Sequence, residues 1–153
     1  MLAQFPATFA TPSGELLPSS ARDLPEREGK HALRALVVDD EPLIRWAIAE
    51  TLRADGYEVE EAGDADGTVR ALFNDPAPPD LVLLDLRLPD CSDLSLLETV
   101  RRLVPSTPVV LMTAFSTPEI RERARSLGAA GVLDKPFDVD GLAGLVETLR
   151  TRH

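Results

Sequence analysis

Cysteine is almost absent from these 153 residues, and the single thiol, Cys91, has no partner within the chain. No internal disulfide staples the fold, and a reducing compartment is the matching setting. Lysine is nearly as scarce, with Lys30 and Lys135 alone. No apolar run approaches the roughly 20 residues that cross a bilayer. The N-terminus has neither the basic start nor the apolar core of a secretory signal. The expectation is a soluble, cytoplasmic protein with no membrane partner. Basic charge is also short: 16 Lys and Arg face 26 Asp and Glu, for a net charge of -10. That balance argues against direct contact with nucleic acid and favours a cation site or cationic partners. Arg121, Arg123 and Arg125 form a local basic run, but Glu119 and Glu122 interleave at helical spacing, as on a solvated helix face.

What is present is a 44% hydrophobic composition, sufficient for one ordinary core. Residues 1–33 carry Pro6, Pro12, Pro18, Pro25 and a Ser19, Ser20 pair without sustained periodicity, so they read as a disordered extension with no assigned function. From Arg34 to His153 short apolar runs alternate with helical patterns, the mark of a parallel sheet covered by helices. Strands are expected at Ala35–Val38, Glu58–Ala62, Leu81–Leu84, Pro108–Met112 and Gly131–Leu133. Helices are expected at Pro42–Asp55, Ala65–Asn74, Leu94–Val104, Pro118–Leu127 and Val139–Thr151. On the first helix Ile44, Ile48 and Leu52, with Ala47 and Thr51, define the inward face and leave Trp46 at the rim. In the last helix Gly141 and Gly144 each cost about 1 kcal/mol against Ala, so it is expected to be loosely held.

The runs ALVV, LVLL and PVVLM are continuously apolar, as central strands buried on both faces must be, whereas YEVEEA alternates like an edge. With right-handed crossovers, this favours an α/β, doubly wound, five-stranded parallel sheet of flavodoxin-like order 2-1-3-4-5 with five helices. Ligands of such sheets sit outside the carboxyl ends of the strands. There the sequence places Asp39, Asp40 and Glu41 after the first strand, Asp85 after the third, Thr113 after the fourth, and Asp134 and Lys135 after the fifth. Singly, each has an ordinary role as helix cap, turn former or β-branched strand residue. Together, on four strands, they converge. Crowded carboxylates repel unless one is protonated or a cation joins them, and Mg²⁺ takes such oxygen ligands. An Asp beside the metal can act as a nucleophile toward phosphorus, with an ammonium and a hydroxyl on the equatorial oxygens.

Four motifs, LVVDDE at Leu36–Glu41, LVLLDLRLPD at Leu81–Asp90, PVVLMTA at Pro108–Ala114 and DKPF at Asp134–Phe137, resemble the receiver domain of two-component response regulators. The resemblance runs from Arg34 to the C-terminus. It implies a signalling switch rather than an enzyme, phosphorylated on Asp85 by a sensor histidine kinase or a histidine phosphotransfer protein. Asp40, Asp85 and the backbone carbonyl of Arg87 would ligate Mg²⁺, with Asp39 assisting through water. Thr113 would hydrogen-bond the phosphoryl group, Lys135 would pair with it, and Lys135–Pro136 would be cis. A downstream protein would read the fourth helix, fifth strand and fifth helix, and the resemblance also allows a homodimer. The last helix ends close to His153, so a single-domain regulator is the expectation.

Val132, Cys91 and Asp93 depart from the family pattern. Val132 stands where an aromatic ring usually swings as the domain switches, with Phe115 as another ring near the site. Cys91 and Asp93 stand where glycine is common, and Asp93 is expected to tolerate the turn. Arg87 occupies a position that influences phosphoryl lifetime in the family. Two other readings remain. DADGT at Asp64–Thr68 matches the signature of haloacid-dehalogenase-type phosphatases, although no buried strand precedes it and Asp64 is placed to cap the second helix. A receiver-shaped binding module that is never phosphorylated is the other.

Overall fold

The computed structural model describes residues 32–152, so the expected extension lies almost wholly outside the described residues. Strands β1 (Leu33–Val38), β2 (Tyr57–Ala62), β3 (Leu81–Asp85), β4 (Val109–Thr113) and β5 (Gly131–Asp134) alternate with helices α1 (Pro42–Ala54), α2 (Ala65–Asn74), α3 (Ser95–Leu103), α4 (Pro118–Ser126) and α5 (Val139–Arg152). The strands form one sheet in the order β2-β1-β3-β4-β5, and every pairing is parallel. The continuously apolar β3 and β4 are buried at every residue, while the alternating β2 lies at the edge. That division follows from packing, since a central strand is covered on both faces.

Because strand side chains alternate, the sheet feeds two cores. Leu36, Val38, Val82, Leu84, Val109 and Leu111 pack with α2, α3 and α4 through Leu72, Leu97, Val100 and Ala124. Their neighbours Ala35, Val37, Leu81, Leu83, Val110 and Met112 pack on the other face with Ile48 and Leu52 of α1 and Leu142, Val146 and Leu149 of α5. Each fully buried Leu contributes about 1.5–3 kcal/mol relative to exposure. The seam Leu142, Val146, Leu149 packs α5 on the sheet, with Gly141 and Gly144 on its exposed side.

Local chemistry sets the element ends. The Asp64 carboxylate accepts the N–H of Gly67 at 2.7 Å and the Thr117 hydroxyl accepts that of Ile120 at 3.1 Å, while Pro42 and Pro118 occupy first turns where a missing N–H costs nothing. Gly56 and Gly128 end the turns after α1 and α4 with φ of 96° and 102°, left-handed geometry that glycine adopts without steric cost.

Several boundaries differ from expectation. β1 begins at Leu33, ahead of Arg34, and β2 begins at Tyr57. Leu33 pairs with Tyr57, and each strand extends the other. β4 starts after Pro108, which has no N–H to give, although its carbonyl accepts from Val82 at 3.0 Å. The inward face of α1 is Ile48, Ala49 and Leu52; Ile44 and Ala47 turn out to line a surface groove with Thr51. Trp46 is exposed, as expected of a rim residue. Asp93 accepts the N–H and hydroxyl of Ser95, so its carboxylate organises the start of α3.

Candidate phosphoacceptor and metal site

The carboxyl edge of the sheet gathers the predicted acids. β1 delivers Asp39 and Asp40, and β3 carries Asp85 as its last residue, paired in register with Met112 of β4. Oxygens of Asp39, Asp40 and Asp85 all lie within 4.8 Å of one another. Asp39 and Asp85 are buried and Asp40 is exposed. Into this cluster comes Lys135, whose Nζ donates to Asp39 Oδ2 at 2.6 Å and Asp85 Oδ2 at 3.1 Å, with Glu41 Oε1 at 3.7 Å. The cis Lys135–Pro136 peptide agrees with expectation.

The remaining oxygens are held by backbone. Asp39 Oδ1 accepts the N–H of Glu41 at 2.9 Å, and Asp85 Oδ1 accepts that of Arg87 at 3.2 Å. Thr113 ends β4, one residue beyond the partner of Asp85, and its carbonyl accepts the N–H of Lys135 at 2.7 Å. The Thr113 hydroxyl accepts the N–H of Phe115 at 3.1 Å, and its own proton meets no acceptor among the described residues. The Arg87 carbonyl likewise accepts no hydrogen bond among the described residues.

Burial pushes the Asp85 carboxyl above its ordinary range; the Arg87 N–H and Lys135 pull against this, and Asp39 adds to it. For Lys135 burial opposes charge, but the hydrogen bond and attraction of Asp39, joined by Asp85, outweigh it and hold the ammonium above its usual range. The pocket is therefore short of positive charge. Among the described residues, three carboxylates around one ammonium form the hard oxygen donor set that suits Mg²⁺, so the residues present fit that ion.

One of the predicted strand-end residues faces elsewhere. Asp134 is paired with Arg121 of α4 and accepts from the Ser116 hydroxyl, so it braces the loop before α4 instead of joining the acids. Val132 packs against the core beside α4. Phe115 is exposed, with the Arg87 guanidinium 5.2 Å above its ring. Sequence reasoning missed Arg45, which donates to the Asp39 carbonyl at 2.7 Å; at the level of sequence it resembles any exposed helical arginine.

A doubly wound parallel sheet with a cation-seeking acid pocket at its carboxyl edge defines the class of domain. The chain belongs to the response regulator receiver domain family, whose model matches residues 35–147. The transcriptional regulatory protein PdtaR of Mycobacterium tuberculosis is 39% identical over 122 residues, 78% of this chain and 57% of that protein. A CheY-like receiver domain protein from Methanospirillum hungatei JF-1 superposes with a TM-score of 0.72 at 30% identity, covering 78% of this chain and 95% of its own. A response regulator from Burkholderia pseudomallei, solved with a phosphorylated aspartic acid, a calcium ion and citrate, has a TM-score of 0.67 at 25% identity, covering 72% and 64%. The chain spans only 24% to 57% of the length of the first curated relatives it matches. It is thus a receiver domain of the two-component signalling class. Among the described residues no helix is long and apolar enough to cross a membrane.

Proposed function

We propose that Asp85 accepts a phosphoryl group from a phosphohistidine on a sensor histidine kinase or a histidine phosphotransfer protein, in the cytoplasm. The observation that carries this reading is the imbalance of the pocket, where Asp39, Asp40 and Asp85 face Lys135 as the one close ammonium among the described residues. An Asp85 carboxylate oxygen attacks phosphorus, the P–N bond to the donor imidazole breaks, and the bonding pair leaves with the imidazole. Asp40, Asp85 and the Arg87 carbonyl hold Mg²⁺, with Asp39 assisting. The ion supplies positive charge for the crowded oxygens. Lys135 stays with the transferred group as its counter-charge, and the Thr113 hydroxyl donates its unused proton to a phosphoryl oxygen. The Burkholderia pseudomallei relative with a phosphorylated aspartate and a divalent ion supports the same chemistry here.

A protein donor fits the surroundings. A groove of about 440 Å³ runs between α1 and the Lys135–Asp138 loop, with Ile44, Ala47, Pro136, Phe137 and Leu142 among its walls. Phosphorylation adds nearly two negative charges. Thr113 moves toward them, the Ser116–Asp134–Arg121 brace before α4 is reordered, and the surface of α4, β5 and α5 presents a changed face to a downstream protein. The phosphatase reading has no support, because the Asp64 carboxylate is occupied as the cap of α2.

Intact-mass measurement after incubation with acetyl phosphate tests the proposal. The native protein gains one phosphoryl group with MgCl₂ and none with EDTA, and Asp85→Asn gains none. Equal incorporation in both proteins, or in neither, overturns the acceptor assignment.

A further inference from the structure

The three acids of the pocket are not aimed in the same way. Both oxygens of Asp39 are held, by the Glu41 N–H and by Lys135, and both oxygens of Asp85 are held by the Arg87 N–H and Lys135. The Asp40 carboxylate is exposed and has no hydrogen-bond partner among the described residues. Its direction is set by backbone alone, and the backbone in question is the peptide joining Asp39 to Asp40.

That peptide is gripped from the side. The Asp39 N–H donates to the Ala62 carbonyl at 3.1 Å, which ties the strand end to β2. The Asp39 carbonyl accepts Nη1 of Arg45 at 2.7 Å, while Nε of the same guanidinium donates to Glu61 Oε1 at 3.0 Å. Glu61 is braced in turn by Arg53 at 3.3 Å. The Arg45 amide donates to the Glu41 carbonyl at 2.9 Å, so the first turn of α1 starts from the same loop. Gly63 leaves the space: a Cβ there would fall 3.1 Å from Nη1 of Arg45. A guanidinium serves this position because its planar fork spans a carbonyl and a carboxylate at once, which a lysine ammonium cannot match.

We propose that Arg45 is a positioning residue for the metal site, fixing the plane of the Asp39–Asp40 peptide and thereby the direction of the Asp40 carboxylate. This rests on the Mg²⁺ reading above. Groups that orient a metal ligand without touching the metal typically change affinity by about 10- to 100-fold. The expected loss for Arg45→Ala is on the order of 10-fold, because the ligand stays present and loses only its alignment. Arg45→Lys recovers part of the affinity by reaching the carbonyl alone. Glu61→Gln, which keeps an acceptor for the guanidinium, stays within about threefold of wild type, since the bond to the Asp39 carbonyl survives.

The experiment is a two-dimensional NMR titration of the full chain with MgCl₂ alone, following the amides of Glu41 and Leu86, with melting in EDTA recorded for every variant. Weaker Mg²⁺ binding in the order Arg45→Ala, Arg45→Lys, Glu61→Gln, without the same order in metal-free melting temperature, supports the assignment. Should Arg45→Ala fail to fold, the comparison of Arg45→Lys with Glu61→Gln decides it. Wild-type affinity in Arg45→Ala, or in Arg45→Lys if Arg45→Ala does not fold, overturns the positioning role, as does a loss that simply tracks metal-free stability. A wild-type chain that binds no Mg²⁺, or an Asp40→Asn variant that binds it equally well, overturns the metal site itself and the positioning role with it.

Discussion

The two ends of one sheet handle charge in opposite ways. At the amino edge, Arg34 pairs with Asp75, its Nη1 donates to the Ala77 carbonyl at 2.9 Å, and its own N–H donates to Asp80 Oδ2 at 2.9 Å. At the carboxyl edge, Lys135 is shared between Asp39 and Asp85, and Asp40 gains no ion pair among the described residues. The first arrangement closes a loop over the strand ends. The second keeps surplus negative charge in a half-buried site, which raises the energy of the metal-free protein and leaves work for a cation. Both ends are ionic, yet only one is unfinished.

Removing the cation at each end separates these cases. Lys135→Met leaves the acids uncompensated, and the expected destabilisation without Mg²⁺ is on the order of 3 kcal/mol, a fall of roughly 10 °C in melting temperature. Added MgCl₂ restores part of it, because an ion that binds only the folded chain stabilises it by mass action. Arg34→Met, judged as the loss of charge-assisted hydrogen bonds, costs about 2 kcal/mol. Its melting point responds to MgCl₂ no more than that of wild type. Melting curves of the two variants with and without MgCl₂ check this, and equal metal responses break the comparison.

A smaller effect of opposite sign is expected for Asp85→Asn. Burial raises the folded-state pKa of Asp85, so the folded chain holds that proton more tightly than the unfolded chain. The stability from this group is fully present below the unfolded value of about 4. It is lost as pH rises through the raised folded value. At neutral pH and without metal, Asp85→Asn therefore melts higher than wild type, by roughly 3 °C for a gain on the order of 1 kcal/mol. The gain shrinks as pH falls through the carboxylate range, and a variant less stable than wild type at pH 7 would contradict the reading of the pocket.

Much of this contrast was legible in the sequence. Continuous apolar runs fixed β1, β3 and β4 as central, the alternation of YEVEEA marked the edge, and strand-end acids pointed to one pocket. What was hidden depends on side-chain reach across the fold. Arg45 and Asp39 are six positions apart, but their contact requires the helix to start in a particular direction and Gly63 to leave room. Asp134 shares a strand end with Lys135 yet turns to Arg121, because successive strand residues face opposite sides of the sheet. The inward face of α1 was misjudged at Ile44 and Ala47 for a related reason: helical spacing shows that an apolar stripe exists but not how far the sheet beneath it extends.

The unfinished end of the sheet receives phosphate on one particular acid. Borohydride reduction after exposure to acetyl phosphate and MgCl₂ converts an aspartyl phosphate to homoserine, and peptide sequencing by mass spectrometry then locates it. Homoserine is expected at position 85, dependent on MgCl₂ and absent at 39 and 40. Reduction at position 39, 40 or 64, or no reduced residue at all, would contradict it.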